Sequence, residues 1–344
     1  MNANYVRQFD FAQKIKYITQ GKTYLSTEYK GEVCDEFSAP AVLDKKSGKD
    51  FVILNLTDIH FSDYDIRMPL GLAAAFTLRR LVRDVRPDLI TVTGDIVCAA
   101  SAYNSIRYLT DLFTSFGIPW APVFGNHEDE TNCDKNYLAD IMMKSPCCLL
   151  RKGPSSMGVG NYIVVIADEN GKPVETLFMT DSKHSQPDSS QAEWIISEGA
   201  KITDGEKSVF MHIPLPEYQA AYDAAFDTVS GKWRDGFAAF GEQHEKICCE
   251  RDKDGNPVYR GFLDKIRSVS GLKYVFCGHE HLNDWSVLYN GVRLTYTLKV
   301  GRGSGFRKNF NGGTVITVGD NGIKSIAHRN TRLLRLHNIE YFEL

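Results

Sequence analysis

Five short stretches, each following an apolar run, carry nearly all the metal-binding residue types that a two-ion site needs. They are Asp58-Ile59-His60, Gly94-Asp95, Gly125-Asn126-His127-Glu128, Met211-His212 and Gly278-His279-Glu280-His281. They are spread over more than half of the sequence, so no local motif can bring them together. Only a fold that collects several strand ends along one edge can do so, and strand ends hold side chains still enough for metal ligation.

The 344 residues are 43% hydrophobic and 24% charged, which is ordinary globular material with ample apolar substance for a large core. A net charge of −3 gives no basic field for nucleic acid or an anionic membrane. No apolar run is long enough to cross a bilayer. The opening segment lacks the apolar stretch of a secretory signal, which predicts a cytoplasmic location. The eight cysteines show no C-x-x-C spacing, and the adjacent pairs Cys147-Cys148 and Cys248-Cys249 are poor disulfide partners, so reduced thiols are expected.

Residues 1–50 carry weak signals and read as an N-terminal extension packed on the core, with a small hairpin around Gly21. Residues 51–344 read as one domain. Phe51-Val-Ile-Leu-Asn-Leu is an apolar run suited to a strand buried on both faces. A helix over 71–86 stops at Pro87. A strand from Leu89 runs to Gly94, a second helix covers 101–116, and a third strand starts at Trp120. This β-α-β-α-β order predicts right-handed crossovers and parallel strands. Strands are expected at Tyr162, Thr176, Ser208 and Lys273, with a helix near 188–199. Residues 217–257 read as an inserted loop or lid that opens with a helix. Asn290-Gly291 between two alternating runs signals a hairpin. Together these elements predict two sheets packed face to face with helices outside.

Asp58 and His60 are two residues apart, which in extended backbone places both on one side, able to share an ion; His279 and His281 repeat the spacing. Asp95, after a glycine, offers two oxygens and could bridge two cations. Asn126 adds a neutral amide oxygen. The set Asp58, His60, Asp95, Asn126, His212, His279 and His281 suits two first-row divalent ions about 3.5–4 Å apart, with Mn, Fe or Zn favoured by nitrogen-rich, thiolate-free coordination. Each stretch alone is weak evidence; their joint order on successive strand ends is specific. His184, His244, His328 and His337 read as solvated or hydrogen-bonded, and Asp63 and Asp65 as exposed.

The ordered set Asp58-x-His60, Gly94-Asp95, Gly125-Asn126-His127-Glu128, His212, Gly278-His279-x-His281 resembles the calcineurin-like metallophosphoesterases over residues 51–305. The resemblance implies a four-layer α/β/β/α sandwich. It implies a first metal on Asp58, His60, Asp95 and His281, and a second on Asp95, Asn126, His212 and His279, with Asp95 bridging and His127 as the catalytic histidine. His212-Ile-Pro-Leu-Pro-Glu-Tyr218 and Gly278–Asp284 are similar to a subgroup related to purple acid phosphatases. Purple enzymes carry a metal-binding tyrosine where this chain has Cys98, so a divalent pair and an inert Cys98 thiol are expected.

The implied activity is phosphomonoester hydrolysis, by in-line attack of a hydroxide shared between two ions without a covalent intermediate. Phosphodiester hydrolysis at the same site, or a catalytically silent interaction scaffold, are the alternatives. Glu128 or Asp129 is a candidate for orienting His127, or a solvated loop carboxylate. Residues 217–257 and Gly301–Phe306, with Arg302 and Arg307, are candidate pocket walls. The expected partner is a phosphate ester, with neither nucleic acid nor membrane.

Overall fold

The computed structural model describes residues 36–62, 72–98, 102–301, 311–332 and 335–343, together with 31, 34 and 305. The hairpin expected around Gly21, Asp63, Asp65, Arg302 and Arg307 lie outside the described residues.

Fifteen strands are described: β1 (Ala41–Asp44), β2 (Phe51–Leu56), β3 (Leu89–Thr93), β4 (Trp120–Val123), β5 (Tyr162–Ala167), β6 (Pro173–Met179), β7 (Glu206–Phe210), β8 (Phe226–Asp227), β9 (Lys232–Trp233), β10 (Leu272–Cys277), β11 (Ser286–Tyr289), β12 (Val292–Tyr296), β13 (Gly312–Gly319), β14 (Gly322–Arg332) and β15 (Arg335–Glu343). The helices are α1 (Leu72–Val85), α2 (Tyr103–Phe116), α3 (Lys135–Met142), α4 (Ser189–Lys201), α5 (Glu217–Ala225) and α6 (Phe262–Ile266).

Two large mixed sheets form the centre. One has the order β15-β14-β13-β2-β3-β4, the other β1-β5-β6-β7-β10-β12-β11. Strands β2, β3 and β4 pair in parallel, as the crossover pattern predicts. Strands β6, β7, β10 and β12 form a second parallel run. Pro122 sits in β4, the edge strand, where a missing N–H costs no ladder bond. Asn290 and Gly291 both take positive φ, 50° and 81°, matching the twist of the β11–β12 hairpin. Strand β1 falls within the stretch read as an extension, yet it pairs in parallel with β5 and forms an edge of the seven-stranded sheet.

Alternation along the strands separates two cores. In β10, Tyr274 and Phe276 face the layer between the sheets, whereas Val275 and Cys277 face the outer helices. Val164 and Ile166 of β5 follow the first pattern, Ile163 and Val165 the second. Helices α1, α2 and α3 pack with the first core, and α4, α5 and α6 with the second. The result is helices, sheet, sheet, helices. Asn55, the one polar residue of β2, is satisfied: its Nδ2 donates to Thr297 Oγ1 at 2.7 Å and its Oδ1 accepts from Thr91 Oγ1 at 3.0 Å. All eight cysteines are free thiols.

Candidate metal centre

The five apolar strands β2, β3, β4, β7 and β10 deliver their C-terminal ends to one place. Asp58 N donates to Gly94 O at 3.1 Å, Gly278 N to His212 O at 3.0 Å, and His279 N crosses between the two groups to Asp58 Oδ2 at 3.0 Å. Gly94 has φ +81°, and a Cβ there would lie 2.5 Å from the His212 ring. A side chain at Gly278 would collide with Thr57 Oγ1. These two glycines let the ligand-bearing turns approach each other.

All seven predicted ligands come together. Asp58 Oδ1 lies 3.3 Å from both His60 Nε2 and His281 Nε2. Asp95 Oδ2 lies 3.2 Å from His60 Nε2 on one side and 3.2 Å from His212 Nε2 on the other. His212 Nε2 is 3.2 Å from Asn126 Oδ1 and 3.3 Å from His279 Nδ1. Two expectations need correction. Asp58 and His60 are not extended: their φ values are +51° and +50°, and Asp95 and His279 are also left-handed at +49° and +76°. Tight turns, not strand alternation, aim these side chains. Such conformations cost about 1–3 kcal/mol each and persist where surroundings enforce them. The spacing reading of His279 and His281 as one pair also gives way, to the division the resemblance implies: His281 joins Asp58 and His60, whereas His279 joins Asp95 and His212. Asp95 Oδ2 faces both groups, while Oδ1 accepts the His127 backbone N–H at 3.0 Å.

The electrostatics are those of carboxylates surrounded by imidazoles. Burial alone would raise Asp58, but hydrogen bonds from His281 and His60 hold it well below the usual range. Asp95 is likewise buried and held very low, chiefly by His212. His212 would fall on burial, yet the Asp95 charge lifts it to about 10. Burial, then repulsion from His212, drops His279 to about 4. His212 Nδ1 donates to Thr93 O at 2.8 Å, which fixes the ring and leaves Nε2 for the site. Two carboxylates, an amide oxygen and four aimed imidazole nitrogens therefore fit a pair of borderline divalent cations.

His127 stands at the mouth, 32% exposed, with Nε2 3.8 Å from Asp95 Oδ2. Its orienting group is Glu130, whose Oε2 accepts from His127 Nδ1 at 2.6 Å. The predicted orienters do other work. Glu128 is buried and accepts from Gly125 N at 2.6 Å and Val97 N at 3.0 Å, tying two ligand loops together. Asp129 pairs with Lys135 at 2.7 Å and His184 at 3.4 Å. Cys98 directs its thiol to His60 O at 3.1 Å. His244 meets Glu242, and buried His328 meets Thr314 and the Asp284 carbonyl, as read from sequence; the His337 side chain lies outside the described residues.

The last stretch also clasps the insertion. Asp284 Oδ1 accepts from Glu242 N at 2.6 Å, Asn283 Oδ1 from His244 N and Glu245 N at 2.9 Å each, and Glu280 Oε1 from Cys248 N at 2.6 Å. Cys248 thereby joins His279 and Glu280 within 4.8 Å, placing a thiol at the rim. Glu280 is pushed up to about 8 by burial. Sequence reasoning missed Glu130, the clasp and buried Lys299. Only Glu130 had a signal, its turn spacing three residues after His127.

A family model described as calcineurin-like phosphoesterase matches residues 51–283. "Probable inactive purple acid phosphatase 14" of Arabidopsis thaliana is 24% identical over 72% of this chain and 69% of its own length. "Phosphatase DCR2" of Saccharomyces cerevisiae is 28% identical over 82% of this chain, which spans only 52% of that protein. Among solved structures, the GAP50 anchor of the Plasmodium inner membrane complex aligns with a TM-score of 0.49 at 11% identity, covering 86% of this chain and 88% of that one.

Proposed function

The chain belongs to the calcineurin-like phosphoesterase family, and on that premise we propose that it is a phosphomonoesterase working with two divalent ions. Asp58, His60, Asp95 and His281 would hold the first; Asp95, Asn126, His212 and His279 the second. The observation that carries this reading is Asp95 Oδ2, 3.2 Å from His60 Nε2 and from His212 Nε2, with a ligand group on each side. Bound there, such ions supply Lewis acidity and bring the pKa of water toward neutrality.

The chain's own groups supply the rest. His127, locked by Glu130, presents Nε2 at the mouth, where it can pass a proton to the leaving oxygen. The left-handed turns hold the acceptors in place before substrate arrives, so little reorganisation is needed. The clasped loop 242–248 supports the reading of 217–257 as a pocket wall, and a cavity of about 650 Å³ lined by His244, Glu245, Arg251 and, just beyond the segment, Tyr259 lies against it. Metal analysis of the purified protein, paired with hydrolysis of a nitrophenyl monoester and a bis-nitrophenyl diester, tests the proposal. Two ions per chain and faster monoester cleavage support it; diester preference refutes the monoester assignment.

A second reading, a catalytically silent scaffold, is favoured by the printed names of Arabidopsis relatives as probable inactive phosphatases. It predicts bound metal without phosphate release from any ester.

A further inference from the structure

Lys299 lies outside every motif, yet it is 2% exposed and, among the described residues, its Nζ has no hydrogen-bond partner. An ammonium taken from water without a partner is costly unless nearby charge compensates. The backbone fixes where it sits. Lys299 pairs in parallel with Thr57; Val300 N donates to Thr57 O, and Gly301 N to Asp58 O, both at 2.9 Å. Asn311 Nδ2 holds the carbonyls of Lys299, Val300 and Gly301 at 3.1, 2.5 and 3.2 Å. The 299–301 segment is thus pinned along the turn that carries Asp58 and His60. Burial lowers the affinity of Lys299 for its proton by more than Asp58, Asp95, Cys98 and Glu245 raise it, and Lys299 in turn opposes protonation of His60.

We propose that Lys299 is a fixed internal cation of the metal centre that tunes its net charge for a phosphate dianion rather than a monoanion. This rests on the two-ion reading above. Two carboxylates and one ammonium leave the protein one negative charge against the four positive charges of two divalent ions. An attacking hydroxide and a monoester dianion together cancel the remainder; a diester leaves one positive charge unbalanced. Without Lys299 the balance shifts to the diester. The same cation repels the metals, so the site exchanges metal affinity for dianion affinity. Among the described residues no side chain accepts a hydrogen bond from Nζ.

The test uses the full chain and its Lys299→Met and Lys299→Gln variants. Mn²⁺ affinity of metal-stripped protein and binding of inorganic phosphate to Mn²⁺-loaded protein are measured by calorimetry, with the monoester-to-diester ratio of kcat/KM alongside. Loss of one buried charge is expected to tighten Mn²⁺ about tenfold, weaken phosphate about tenfold and lower the ratio about tenfold. Glu245→Gln keeps an acceptor for Leu282 N but removes a negative charge, so it must shift both affinities the opposite way, and it serves if the Lys299 variants fail to fold. Folded Lys299 variants with parental Mn²⁺ and phosphate affinities overturn the proposal, as does a Glu245→Gln variant that moves neither. If the parent binds Mn²⁺ but releases no phosphate, the enzymatic reading falls, while the Mn²⁺ and phosphate shifts still decide the role of Lys299.

Discussion

Asp95 and His212 meet across the two sheets: the carboxylate follows β3 of the six-stranded sheet, the imidazole follows β7 of the seven-stranded one, and Oδ2 and Nε2 are 3.2 Å apart. Neither sheet alone contains the site. The packing of one on the other creates it, so the hydrophobic layer between them is a condition of function as well as of stability.

Asp95→Asn tests this joint. It keeps the shape and the acceptor for His127 N but removes the charge shared by both ligand groups. On the proposed two-ion reading, phosphomonoester hydrolysis is expected to fall by more than ~100-fold, beyond the usual cost of losing an outer partner of a metal ligand. Metal content per chain should fall in parallel. Unchanged turnover would show that Asp95 is not shared.

His127 and Glu130 are separable from the metals. His127→Ala should slow hydrolysis by ~10²–10⁴-fold, the range for a positioned proton donor, with metal content intact. Glu130→Gln should cost about 10-fold, the lower end for an orienting partner, chiefly in kcat. Loss of both metals in His127→Ala would make that residue a ligand instead.

The clasp makes a stability prediction. Asn283→Ala leaves the amides of His244 and Glu245 without their acceptor, at about 1–3 kcal/mol. Hydrogen exchange should quicken across 242–248 and not in β2 or β3. Uniform quickening would mean the loop is no separate unit.

Glu175 predicts a pH dependence far from the centre. It is buried, accepts from Ser208 Oγ through one oxygen, and among the described residues Oε2 has no partner. Burial raises its pKa to about 8. The folded state therefore binds a proton more tightly than the unfolded state, whose carboxyl titrates near its ordinary value. Stability from this group is present at low pH and is lost as pH rises from about 4.5 to about 8. Glu175→Gln should remove that slope and stabilise the protein at pH 8 by roughly 2–4 kcal/mol, read from denaturant unfolding at several pH values. A slope identical to the parent's would refute the assignment.

The candidate ligands were legible because each follows a strand written as a largely apolar run, and a glycine before Asp95, Asn126 and His279 marks a sharp exit. The parallel order of β2, β3 and β4 followed from the crossover helices between them. Local spacing failed where the backbone turned: Asp58-x-His60 reads as extended but lies in the left-handed region. It failed again at His279 and His281, which spacing pairs and the structure divides between two groups. Glu128 was the plausible neighbour for His127, but its burial against Gly125 N and Val97 N gave that place to Glu130.

By itself, then, the sequence determined which residues are candidate ligands, because ligand chemistry is a property of residue type and strand-forming hydrophobicity is a property of short runs. Only the tertiary structure decided that the turns carrying Asp58, His60, Asp95 and His279 are left-handed, that one oxygen of Asp95 faces both groups, and that Lys299 lies buried alongside the Asp58 turn. Those facts depend on turn dihedrals and on one sheet packing against another, and both are set by contacts between segments far apart in the chain.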